Sequence, residues 1–233
     1  MTPDPRDVAL QRACPCVTVP RFGPLDDAEL GQRVLVASDG IFLEVRRSWL
    51  QCFVRIGELP RTPPLPYGSL TERIAFTFGV IPIALLEEFL AIGRTGLPNE
   101  VAGALVYNRA SRTLRLAIHD AIKAGPAQIQ YRMPVLDADE EVAVDLHTHG
   151  RLPAFWSSTD NADDRGVKVC GVFGNLHRET PSAAFRLAVN GQFRELPHPW
   201  SAPSCDSVPS VELGEACPTL VAMGFTEIDA WNT

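Results

Sequence analysis

Hydrophobic and polar positions along the 233-residue chain change period several times, and each change marks an element. Residues 1 to about 30 show little periodicity and are interrupted by prolines, which predicts an irregular arm. From Val34 to Glu58 apolar positions alternate in patches around Asp39-Gly40, a hairpin-turn dipeptide. That pattern predicts two or three antiparallel strands. RTPPLPYG (61–68) breaks the alternation and reads as a linker. In IPIALLEEFLAIGR (81–94) apolar residues recur at helical spacing after Pro82, with Gly93 or Gly96 available to end the helix.

Strand-like runs follow at 100–108, 113–122, 128–136 and 140–149. Ser157 and the acids behind it predict a short helix over 157–166. Two further runs, 168–176 and 183–196, close the pattern, the second turning at Asn190-Gly191. From about 197 the chain is rich in proline and serine until a short amphipathic piece, LVAMGFTEIDAW. The order of helices and strands predicts an α/β fold with a mixed sheet and flanking helices. It also divides the chain into a β-rich accessory segment (1–70), a larger α/β domain (71–200) and a tail (201–233).

Composition narrows the class. With 45% hydrophobic and 21% charged residues the chain is globular. A formal charge of -7 argues against nucleic acid or an anionic membrane as partner. The apolar stretch IAFTFGVIPIALL is too short to span a bilayer, holds Pro82 and runs into Glu87 and Glu88. Six scattered cysteines form no disulfide framework and are read as reduced thiols. Together with the acidic, proline-containing N-terminus, this predicts a cytoplasmic location.

The chemistry concentrates in one segment, DLHTHGRLPAFWSSTD (145–160). His147 and His149 lie two apart on a strand, so both imidazoles face the same way and can share one metal ion. Two histidines, one carboxylate and one position left open make a catalytic rather than a structural zinc arrangement. Asp160 suits the third place, because the connector lets it fold back and a helix start holds it. Ser157 then sits beside the metal as a donor to a developing oxyanion, and Glu100, at the mouth of a strand with small neighbours, is the candidate proton acceptor. Taken alone, Ser157-x-x-Asp160 also fits a helix capping box. Asp145 either orients a ligand or is a buried, hydrogen-bonded strand residue. Asp163 and Asp164 are expected on the exposed face of the short helix.

Glu100, His147-Thr148-His149, seven residues, Ser157, two residues and Asp160 resemble the motif of the JAB/MPN family, the JAMM metalloproteases. Glu100-Val-Ala-Gly103 resembles the family's Glu-strand, and DLHTHG with AFWSSTD resembles its PRTRC-system branch. The resemblance covers roughly residues 75–195. It implies a JAB/MPN-like, cytidine-deaminase-like mixed sheet and zinc-dependent hydrolysis of a peptide or isopeptide bond. It implies His147, His149 and Asp160 as zinc ligands, Glu100 as general base and acid, and Ser157 as oxyanion donor. The partners it implies are a protein substrate, a bacterial ubiquitin-like protein with its C-terminal tail, and an E1-like enzyme. A non-catalytic MPN-type scaffold is the alternative, but such scaffolds have usually lost ligands. Gly150 stands where the family usually has Pro, and no insertion resembles the long ubiquitin-gripping loops of eukaryotic members.

Overall fold

The computed structural model describes residues 3–59, 63, 65–126 and 128–197, which divide between Thr77 and Phe78 into two units. The expected tail, from 201 on, lies outside the described residues.

The first unit opens with helix α1 (Pro5–Ala13), where an irregular arm was expected. The residues that look like breaks are in fact a start signal: the Asp4 carboxylate accepts from the Arg6 backbone N–H at 2.8 Å, and Pro5 takes the first helical position. Five strands follow, β1 (Cys16–Thr18), β2 (Gly31–Val36), β3 (Gly40–Arg46), β4 (Leu50–Glu58) and β5 (Arg73–Phe76), paired in chain order. The β1–β2 pair is parallel and the rest antiparallel. The alternation around Asp39-Gly40 thus gives the β2–β3 hairpin. β5, beyond the boundary expected at residue 70, completes this sheet by pairing with β4. Val19, Leu35, Ala37 and Phe42 form a core on one face. Glu44 shares that face two residues on, buried between guanidinium groups of Arg33 and Arg46.

In the second unit, α2 (Ile83–Thr95) buries Leu86, Phe89, Leu90 and Gly93, spaced three and four apart. A six-stranded sheet runs in the order β13-β12-β11-β10-β6-β7. Its members are β6 (Ala102–Asn108), β7 (Thr113–Ile118), β10 (Glu140–Thr148), β11 (Val167–Gly174), β12 (Ser182–Val189) and β13 (Gln192–Leu196). The β10–β11 pair is parallel and needs a crossover, which carries α3 (Ser158–Asp163); the other pairs are antiparallel, so the sheet is mixed. Phe89 of α2 packs on Phe173 at 5.7 Å between ring centroids, and Phe173 meets Phe185 edge-on at 5.6 Å.

Two sequence runs divide differently from expectation. The run over 113–122 breaks at the buried His119, so β8 (Asp120–Gly125) leaves the main sheet. It pairs instead with β9 (Gln128–Arg132), making a separate hairpin of what looked like two strands of one sheet. Among the described residues no helix is long and apolar enough to cross a membrane.

Candidate metal centre

β10 delivers both histidines to one place. Its alternation puts His147 and His149 on one face and buries Thr148 on the other. At this point the chain changes partners. The Thr148 N–H donates to Val101 O at 2.9 Å, and its Oγ1 accepts from the Val101 N–H at 2.9 Å, so a hydroxyl ends the ladder to β6. The next N–H, of His149, donates to Phe173 O of β11 at 2.7 Å. Gly150 then turns with φ +54°, a conformation closed to proline, whose ring holds φ near roughly −65°. The departure from the family pattern is therefore the residue this turn requires.

Asp160 arrives from α3. Ser157 caps that helix: its Oγ accepts from the Asp160 N–H at 3.1 Å, and the Ser157 N–H donates to Asp160 Oδ2 at 2.7 Å. The capping box weighed from the sequence is present. It leaves Asp160 Oδ1 facing His147 and the Ser157 hydroxyl proton uncommitted to it. His147 Nε2 lies 3.2 Å from His149 Nε2 and 3.4 Å from Asp160 Oδ1, and His149 Nε2 lies 3.9 Å from Asp160 Oδ2. A tetrahedral zinc with bonds of about 2.05 Å separates its ligand atoms by about 3.3 Å. The His147–His149 and His147–Asp160 spacings match that separation, while the His149 approach, to the other carboxylate oxygen, is longer by about half an ångström. Burial, with the neighbouring His149, holds the His147 imidazole below its usual pKa against the pull of Asp160, favouring the neutral form a metal needs. The Phe155 ring packs on His149 at 4.5 Å, and Trp156 lies 6.3 Å from His147.

Glu100 is buried just ahead of β6, at the strand end that Thr148 clips. Its N–H donates to Gly125 O of β8 at 2.9 Å. Burial and the charge of Asp160 push its carboxyl up to about 7, the range where a carboxylate can both take and return a proton. The structure therefore gathers His147, His149 and Asp160 into one group, with Glu100 close enough to feel the aspartate.

Other polar residues have structural roles. Asp145 accepts from Lys168 Nζ at 2.6 Å and lies 3.7 Å from His119 Nε2. Burial opposes its ionisation, yet these two partners hold its carboxyl below the usual range. It is thus the buried, hydrogen-bonded strand residue of the two readings. His119 stacks on Tyr131 at 4.4 Å between centroids. Asp163 is exposed as expected, but Asp164 is not. Arg186 and Lys168 reach it at 2.5 and 3.1 Å and draw it inward. Lys168 is four residues on, but Arg186 comes from a strand 22 residues away and no local spacing links it to Asp164. Thr148 does leave a signal, as a polar residue on the face that alternation assigns to the core.

Residues 82–188 match the family model described as prokaryotic homologs of the JAB domain, and residues 4–77 match a domain of unknown function, DUF2016. No curated protein matches the chain. Among solved structures, protein DSY2949 from Desulfitobacterium hafniense is similar over 48% of this chain and 85% of its own. The two are 18% identical, with a TM-score of 0.38.

Proposed function

Residues 82–188 are a prokaryotic JAB domain, and we propose that it is a zinc-dependent peptide or isopeptide hydrolase acting on the C-terminal tail of a ubiquitin-like protein or its conjugates. The observation that carries this reading is the convergence of two imidazole nitrogens and a carboxylate within 4.8 Å of one another, near a buried glutamate whose carboxyl their aspartate pushes up. A zinc ion held there supplies a Lewis acid that polarises a carbonyl and acidifies water.

The residues do the rest. His147, His149 and Asp160 form an electron-rich pocket whose single carboxylate leaves net positive charge once a dication is bound. Glu100 takes a proton from the attacking water and returns it to the leaving amine, a role worth about 10²–10⁴-fold. The Ser157 hydroxyl donates to the oxygen that gains charge when the carbonyl carbon becomes tetrahedral. Phe155 and Trp156 lie against the histidine rings and limit their movement. β10 is paired on both edges, by β6 and β11. In this reading the substrate tail meets the end of the His strand, since neither of its edges is open to a further strand. A cytoplasmic setting and an E1-like partner go with the same proposal.

The test is cleavage of a linear ubiquitin-like fusion by the zinc-loaded full chain, with and without chelator. Chelator-sensitive cleavage at the end of the ubiquitin-like part is expected. Hydrolysis of short acyl amides but of no fusion would move the substrate to small amides. A chain that binds zinc and hydrolyses neither would be a scaffold.

A further inference from the structure

We propose that Arg186 is a positioning residue that holds the ligand-bearing helix α3 in place and so sets the affinity of the site for its metal ion. The proposal rests on reading His147, His149 and Asp160 as the ligand set.

The need for such a residue follows from α3 itself. It has six residues, fewer than two turns, and none of them is buried. So short a helix has little stability of its own, and no apolar face anchors this one. The capping box closes only the first turn. Asp160 must nonetheless be fixed within a fraction of an ångström to complete a tetrahedral site.

Arg186 supplies the anchor from β12. It is 3% exposed. Nη1 donates to Asn161 Oδ1 at 2.6 Å and Nη2 to Asp164 Oδ2 at 2.5 Å. Its guanidinium carbon lies 3.9 Å from the ring centroids of both Trp156 and Phe193. One side chain thus touches residues 156, 161 and 164 and brackets the segment Ser157–Asp160 on both sides. Lys168 braces the same corner, joining Asp164 to Asp145 at 3.1 and 2.6 Å. Only a planar, forked cation can donate in two directions while stacking on rings, so lysine is not an equivalent here.

Zinc affinity of the full chain, measured by competition with a chelating dye, tests the assignment. R186K is expected to weaken zinc binding about 10–100-fold, the usual effect of losing a residue that orients a ligand. Asp160→Asn is expected to weaken it further, and adding R186K to Asp160→Asn should cost nothing more, because Arg186 acts through that aspartate. Asn161→Ala removes one acceptor at an exposed position that does not threaten the fold, and should weaken binding roughly 2- to 10-fold. A variant R186K that melts at lower temperature yet binds zinc like the wild type would make Arg186 merely structural and overturn the proposal. Additive losses in the double variant, or wild-type affinity in Asn161→Ala, would do the same. A wild-type chain that binds no zinc would instead overturn the ligand set on which the proposal stands.

Discussion

Glu44 of β3 and Glu100 ahead of β6 are both carboxylates taken out of water, one in each unit. Glu44 is saturated. Arg33 Nε donates to one oxygen and Arg46 Nε to the other at 2.7 Å, while Arg46 is itself paired with Asp27 at 2.6 Å. Among the described residues no cation pairs with Glu100, and its nearest charged influence is the like charge of Asp160. One glutamate is a closed structural joint. The other is left able to exchange a proton, at the edge of a group of converging ligand atoms. Burial alone therefore does not separate the two carboxylates; the presence or absence of a cationic partner does.

Substitution should separate the two. Glu100→Gln is expected to keep the metal and lower turnover by about 10²–10⁴-fold, read in single-turnover cleavage at fixed zinc content. Equal rates for variant and wild type would remove Glu100 as the base. Glu44→Ala strands Arg33 in the interior and should cost about 3–5 kcal/mol of stability in chemical denaturation, with zinc affinity unchanged. A loss of zinc affinity in that variant would erase the distinction between the two glutamates.

Thr148→Val keeps shape but leaves the Val101 N–H without its acceptor, at a cost of about 1–3 kcal/mol. Thr148→Ser should restore most of it, and amide exchange at Val101 reports the difference directly. A further test is the dependence on pH. Glu100 has its pKa raised from 4.5 to about 7, so its contribution to metal-free stability is full below 4.5 and is lost as pH rises through about 7. Thermal melts of the metal-free chain should decline across that window from this group, and Glu100→Gln should flatten the decline.

Much of the second unit was legible because its signals are local. The period-two placement of His147 and His149, the capping residues at Ser157 and the turn at Asn190-Gly191 all name their own geometry. In the first unit, Asp4-Pro5 was equally local but ambiguous, since the same pair punctuates a loop or starts a helix. What could not be read is pairing across distance. β8 leaves the sheet because His119 is buried against Tyr131, and Asp164 turns inward because Arg186, from a strand 22 residues on, reaches it. Asp160 stands between the two kinds: its connector and helix start are local signals, and the crossover from β10 to β11 is what brings its carboxylate to the histidines.

The proposed chemistry requires a single divalent ion on His147, His149 and Asp160. Elemental analysis of the purified full chain beside His147→Ala tests it most directly. One zinc per wild-type chain and none in the variant is the predicted result. A full equivalent of zinc in His147→Ala, or none in the wild type after zinc is supplied, would contradict it.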